Sequence, residues 1–265
     1  MSIVVITIPG TSKQTVVNEL QKRSNGQVSL VIIQRPRSVS WSKRWRTIKA
    51  RSFKELCSDL WFGALLRLRP SIRKNLDLFR YRHPSQTPDW SAPTLFVDNV
   101  NHPDVIARIK QLTPSVLAVW GSTILVDELI SSSPHPVNLH MGISPRYRGA
   151  VANHRAVHRH DWNNIGFTVH YMNGKADAGN ILHQQRAAIL PEPAETFATL
   201  NAAAEKTFIE IICALHNHKP LTTTPQDISI GENVRLRDWT PKMRYEVGQI
   251  IEQWKQTKQP PQKES

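Results

Sequence analysis

Acidic residues are few in this chain, cysteines fewer, and no long apolar run occurs. Its 265 residues hold 21 Asp and Glu against 34 Lys and Arg, for a formal net charge of +13 and a pI near 10.1. That imbalance points to an anionic partner. The two cysteines, Cys57 and Cys213, set no metal-ligand spacing. In apolar, helix-like surroundings they read as buried thiols of a reducing compartment. No stretch approaches the length of a transmembrane segment. Met1 to Ile8 lacks the basic leader and cleavage site of a secretion signal, so the cytoplasm is the expected location. The turn after the first apolar run, Pro9-Gly10-Thr11-Ser12, has one glycine and lacks the G-x-G-x-x-G fingerprint, which speaks against a dinucleotide. No internal repeat is present.

What is present is ordinary globular composition, 40% hydrophobic and 21% charged, long enough for a sizeable core. A β-branched run at Ile3–Ile8, a helical pattern at Thr15–Arg23 and an apolar run at Val28–Ile33 form a strand–helix–strand unit, the signature of a parallel sheet. The rhythm resumes at Thr94–Val97 (strand), Pro103–Leu112 (helix), Val116–Trp120 (strand), Ile124–Ile130 (helix) and Pro136–His140 (strand). A helix is expected at Ala150–Arg159, paired strands at Gly166–Tyr171 and Ile181–Ile189, and helices at Glu195–Asn217 and Pro241–Lys255.

Residues 35–83 interrupt that rhythm. They carry 14 Lys and Arg against 3 Asp and Glu, so most of the excess charge belongs to one segment. Within it Phe53, Leu56, Cys57, Leu60, Trp61, Ala64, Leu65 and Leu68 recur at helical spacing, and Trp41 and Trp45 lie a turn apart. An inserted helix that packs its stripe on the sheet and leaves its charges solvated is the simplest reading. The sharper ones are a basic amphipathic helix on an anionic membrane surface, or a patch for nucleic acid or an acidic carrier protein.

The stretch richest in chemistry runs from Pro136 to Leu182. Asn138 and His140 are two apart at a strand end, so an amide and an imidazole project from one face into a Gly/Pro-rich loop. Asp177 sits in a second loop that can fold back toward that strand end. A carboxylate orients an imidazole and favours its charged form, and a neighbouring carboxamide can donate to a developing oxyanion. The three suit an amine attacking a carbonyl, with proton transfer through His140 and no Ser or Cys nucleophile. His154 and His158, four apart on a helix, have no third ligand and read as a surface pair; no metal is expected. His158 and His160 read as exposed and His170 as structural.

Asn138-Leu139-His140, the loop Gly142-Ile143-Ser144-Pro145-Arg146-Tyr147-Arg148-Gly149, the strand Gly166-Phe167-Thr168-Val169-His170 and the run Asp177-Ala178-Gly179-Asn180-Ile181-Leu182 together resemble the formyltransferase superfamily. That superfamily includes methionyl-tRNA, glycinamide ribonucleotide (PurN-like) and sugar-nucleotide N-formyltransferases. The resemblance implies an α/β fold, Rossmann-like, with a mostly parallel sheet flanked by helices, and 10-formyltetrahydrofolate as one-carbon donor. It also implies an Asn-His-Asp triad at Asn138, His140 and Asp177. In the family mechanism Asn138 and His140 stabilise the oxyanion, while Asp177 poises the imidazole and relays a proton through water. The turn Gly121, Ser122, Thr123, Ile124 and Leu125 matches the one that wraps the pterin. The loop Gly142, Ile143, Ser144 and Pro145 matches the folate-site loop, with Gly142 and Ser144 where relatives have Ser and Leu. Asn173 to Asp177 matches the second pterin-side loop. Gly10, Thr11 and Ser12 fall where glycinamide ribonucleotide enzymes hold the substrate phosphate. Arg146 and Arg148 are candidates for an anionic acceptor.

The expectation is a folate-dependent N-formyltransferase. Its catalytic domain spans 1–218 with a basic insertion at about 35–83, followed by a helical appendage and polar tail at 219–265. Only about eighty residues follow Leu182, too few for the sizeable C-terminal domain of a tRNA-specific enzyme. A primary amine on a small anionic acceptor, such as a nucleotide-linked amino sugar, fits best. The alternatives are a glycinamide-ribonucleotide-type transferase, a formyltetrahydrofolate hydrolase, and a non-catalytic binding protein of the same fold.

Overall fold

A computed structural model describes residues 2–36, 51–80 and 89–262. Trp41, Trp45 and the basic residues Lys43, Arg44, Arg46 and Lys49 lie outside the described residues. Seven strands form one sheet: β1 (Ser2–Thr7), β2 (Val28–Gln34), β3 (Thr94–Val97), β4 (Pro114–Trp120), β5 (His135–His140), β7 (Gly166–Tyr171) and β8 (Ile181–Arg186), in the order β3-β2-β1-β4-β5-β7-β8. The first five are parallel; β7 and β8 are antiparallel to their neighbours. The central strands are apolar almost throughout, as strands covered on both faces must be. One cluster, with Val5, Val31, Ala118 and Leu139, packs under α1 (Thr11–Arg23) and under Pro193–His216. The other, with Val4, Ile32, Leu117 and Val119, meets Val105, Ile106 and Ile109 of Pro103–Leu112.

The inserted segment forms α2 (Phe53–Leu68), α3 (Pro70–Asn75) and a short 3-10 turn at Leu76–Phe79. With α2 and α3 so defined, the helices that follow are α4 (Pro103–Leu112), α5 (Asp127–Ile130), α6 (Ala152–His158), α7 (Pro193–His216) and α8 (Pro241–Thr257). Ser52 caps α2: it accepts from the Glu55 N–H, and the Glu55 carboxylate accepts from the Ser52 N–H, a reciprocal pair that fixes where the helix starts. The segment lands on α8, not on the sheet: Leu66 and Ile72 pack with Tyr245, and the Phe62 and Tyr245 ring centroids are 5.6 Å apart. Cys57 is exposed and Cys213 half-buried, which corrects the expectation of two buried thiols: Cys57 lies on the face of α2 turned away from α8.

Two strands escape the sequence pattern. β6 (Tyr147–Gly149) and β9 (Glu232–Val234) pair in parallel as a small separate ribbon. Each is three residues long, too short for any periodicity to register. Residues beyond 218 also enter the main core, where Val247, Ile251 and Trp254 of α8 are buried.

Candidate active site

β5 ends at the carboxyl edge of the sheet, beside a cavity of about 720 Å³. Its alternation turns Asn138 and His140 the same way, toward that cavity. Across the antiparallel register Asn138 faces His170 and His140 faces Thr168. Asp177 comes from the loop between β7 and β8. Tyr171 N–H donates to Asn180 O (2.9 Å) and Asn173 Nδ2 donates to Ala178 O (3.2 Å), so the loop doubles back over the strand ends.

The Asp177 carboxylate is the hub. Oδ2 lies 3.2 Å from His140 Nδ1 and accepts from the Gly149 N–H at 2.8 Å. Oδ1 accepts from Asn138 Nδ2 at 3.0 Å and lies 3.3 Å from His170 Nε2. Burial pushes this carboxyl up. The His140 charge, the His170 hydrogen bond and charge, and the Gly149 N–H outweigh that and hold it well below the usual carboxylate range. His140, only 6% exposed, donates from Nε2 to the Tyr147 carbonyl at 2.8 Å. Its two nitrogens thus face a carbonyl and a carboxylate, which fixes the ring from both ends. His170 is tied down through Nδ1, which donates to Tyr171 O at 2.7 Å.

The residues expected at the pterin side divide. Gly121, Ser122, Thr123, Ile124 and Leu125 all line the cavity, as do Asn138, His140 and Asp177. Asn173 does not; it braces the loop, and its successors Gly174, Lys175 and Ala176 form the wall. Gly142, Ile143 and Ser144 are buried and, with Pro145, lie outside the cavity wall. Their backbone is a brace: Ser144 N–H donates to Thr168 Oγ1 (3.1 Å), Thr168 Oγ1 donates to Gly142 O (2.7 Å), and Gln184 Nε2 donates to Ser144 O (2.6 Å). A Cβ on Gly142 would stand 2.5 Å from His140 Nε2, so the glycine is there to let the imidazole lie flat against the loop.

The residues expected to meet an anion lie away from the cavity wall. Gly10, Thr11 and Ser12 start α1 away from the cavity wall. Arg146 is exposed, with Nε 3.4 Å from Asp161 Oδ2, and Arg148 Nη2 donates to Ile228 O at 3.3 Å. Strand alternation explains both: β6 buries Tyr147, so its neighbours point the other way. His154 is no surface ligand; its ring stacks on Phe79 at 3.8 Å and meets Trp239 at 4.6 Å. Burial, helped by Arg80 and Arg244, lowers its pKa to about 3. His158 and His160 are half-buried, one paired with Glu246 at 2.9 Å and the other 2.8 Å from Pro261 O.

Sequence reasoning missed three parts of the site. The wall formed by Asn233 to Leu236 depends on the β6–β9 ribbon, which left no pattern. The Tyr147 carbonyl is a backbone group that any residue supplies. His170 was legible in principle, because a polar residue in a buried antiparallel strand must meet a polar partner across the ladder.

A second cavity, about 190 Å³, lies on the other side of His140. His140, Met141 and Gly149 border both spaces; Phe79, Ala152, His154, Phe197 and Asn201 close the second. Asn201 also borders an open depression that holds Lys74, Asp77 and Arg80. Beside the first cavity, Lys13 Nζ sits over the Trp120 ring, 2.7 Å from its centroid. Burial lowers Lys13 well below its usual range and lifts Glu205 to about 7, each opposed by the other's charge.

Comparison with known proteins gives the same family. The model described as formyl transferase matches residues 1–213. Among solved structures, a sugar N-formyltransferase from a Shewanella species shares 13% identity at TM-score 0.59, over 95% of this chain and 87% of that one. An N-formyltransferase from Helicobacter canadensis, solved with folinic acid and dTDP-3-aminofucose, shares 11% at TM-score 0.57 over 96% and 82%. A phosphoribosylglycinamide formyltransferase from Anaplasma phagocytophilum shares 16% at TM-score 0.51 over 88% and 97%. At these identities the likeness is one of fold.

Proposed function

This chain belongs to the formyl transferase family, and from that premise we propose that it carries a formyl group from 10-formyltetrahydrofolate to the primary amine of a small anionic acceptor, a nucleotide-linked amino sugar. One observation carries the proposal: Asn138, His140 and Asp177 converge at one cavity, and His140 also borders a second, so two substrates can meet at one imidazole.

The larger cavity suits the folate. Val119, Leu125, Ile130 and Met172 give it apolar sides for a flat ring, and the backbone of 121–123 and 174–176 gives polar edges for ring nitrogens. When bound there, the folate supplies an electrophilic formyl carbon. Amine addition to a formyl group puts negative charge on the carbonyl oxygen and positive charge on nitrogen. His140 and Asn138 both line this cavity, where a proton on the ring can offset the first charge and Asn138 can turn an amide proton toward it. Asp177, held ionised, faces the ring and stands ready to take a proton from the amine nitrogen by way of water, a proton that would go to the folate nitrogen freed when its bond to the formyl carbon breaks. The 142–145 brace holds the ring in place while this happens.

The smaller cavity suits the acceptor. Its aromatic wall, Phe79 against His154, offers a ring face, and Lys74 and Arg80 stand at the adjoining depression for phosphates. These cations take the role that Arg146 and Arg148 were expected to fill.

The test is product analysis by mass spectrometry after incubation with 10-formyltetrahydrofolate and a panel of dTDP- and UDP-linked amino sugars, glycinamide ribonucleotide, or no amine. Formylation of at least one nucleotide sugar, with tetrahydrofolate released in equal amount, is the expected result. Equal tetrahydrofolate release without any amine would identify a hydrolase and overturn the proposal.

A further inference from the structure

α2 has two apolar faces, and the described residues cover only one. Phe62, Leu65 and Leu66 turn toward α8. At 100° per residue, Phe53, Cys57, Leu60, Trp61, Ala64 and Leu68 share the opposite face. Phe53 is 80% exposed, Leu60 76%, Trp61 64% and Leu68 77%. Isolated apolar residues at a surface need no explanation, but four large ones in line along one helix do. Lys54 and Arg67 flank the stripe on its two sides, and Arg69, Arg73 and Lys74 follow immediately, all exposed.

We propose that this face lies on an anionic lipid surface, with Phe53, Leu60, Trp61 and Leu68 in the headgroup–acyl boundary and the flanking cations among the phosphates. Apolar and aromatic residues bordered by Lys and Arg are the composition of a helix that lies in a membrane interface. Among the described residues no helix is long and apolar enough to cross a membrane, so the contact is peripheral. Charge decides between occupants. A second copy docked by a two-fold axis would set Lys54, Arg67 and the neighbouring cations against themselves. Arg69, Arg73 and Lys74, all exposed, add to that repulsion. A nucleic-acid backbone would meet the cations and leave Leu60 and Leu68 without a partner. An anionic bilayer satisfies both halves of the surface, and each exposed cation adds to its hold.

The experiment is flotation of the full chain with vesicles of phosphatidylcholine alone and with about one third phosphatidylserine, at low and high salt. The expected result is capture by the anionic vesicles only, weakened by high salt and by Lys54→Glu/Arg67→Glu. Leu60→Ser/Trp61→Ser should weaken capture at least about tenfold while the circular dichroism and formyl transfer stay unchanged. A second readout needs no apolar substitution. In the Cys213→Ser protein, an environment-sensitive dye on the exposed Cys57 should shift to the blue on anionic vesicles and not on neutral ones. Failure of anionic vesicles to capture the chain would overturn the proposal. So would capture indifferent to Leu60 and Trp61, or a concentration-dependent dimer that Trp61→Ser abolishes.

Discussion

A single missing Cβ sets how closely His140 can be held. Gly142 packs against the imidazole, and an added methyl would stand 2.5 Å from Nε2 and 2.4 Å from the Ala152 Cβ. Gly142→Ala should therefore displace the ring from the Tyr147 carbonyl and from Asp177. A displacement near 1 Å costs about a hundredfold in rate, so steady-state kinetics should show kcat falling by about that factor with folate KM little changed. His154 acts at the same scale on stability. Its folded pKa of about 3 lies below the usual histidine value near 6.5. Between those values the unfolded chain binds a proton that the folded chain refuses, so stability falls as pH falls. The expected loss is up to about 1.4 kcal/mol per pH unit below 6.5. Thermal melts from pH 7 downward should show it in the wild type, and His154→Gln should flatten that slope.

Among the elements, the β6–β9 ribbon does the least visible and most consequential work. It delivers the Gly149 N–H to Asp177 and the wall from Asn233 to Leu236. Gly149 has φ 81°, and a Cβ there would stand 2.4 Å from both Asn233 Oδ1 and Val234 O. Gly149→Ala should cost about 1–3 kcal/mol by chemical denaturation and should weaken folate binding in a fluorescence titration. The long elements were legible because burial imprints a period: Thr94–Val97, Pro103–Leu112 and Gly166–Tyr171 were placed to the residue. The ribbon was not, since three residues hold less than two periods. The 142–145 loop was read as cavity wall because its buried role depends on Thr168 and Gln184, which are distant in sequence.

For the whole molecule, residues 1–213 carry the family pattern, yet the structure does not end there. α8 buries Val247, Ile251 and Trp254 in the main core and receives the inserted α2 and α3 on its far side. It thus joins the basic segment to the catalytic core. A chain ending at residue 240 should lose cooperative thermal unfolding, because removing a fully buried tryptophan and its neighbours costs more than a typical domain's margin of about 5–15 kcal/mol. Retention of a sharp transition in scanning calorimetry would show α8 to be dispensable. Three side chains from one strand and one loop were grouped together from sequence, because strand alternation fixes two of them and a short loop returns the third. Arg146 and Arg148 lie away from the cavity wall, because the tyrosine between them on β6 is buried and turns its neighbours the other way.

The central claim is that Asn138, His140 and Asp177 work as one unit in formyl transfer. A double-substitution cycle on kcat/KM tests it most directly, with His140→Ala, Asp177→Ala and the pair measured on the same amine acceptor. If the carboxylate acts through the imidazole, the pair should be no slower than His140→Ala alone, with each single loss at least about a hundredfold. Losses that multiply in the pair, or a single variant that keeps wild-type turnover, would contradict the account.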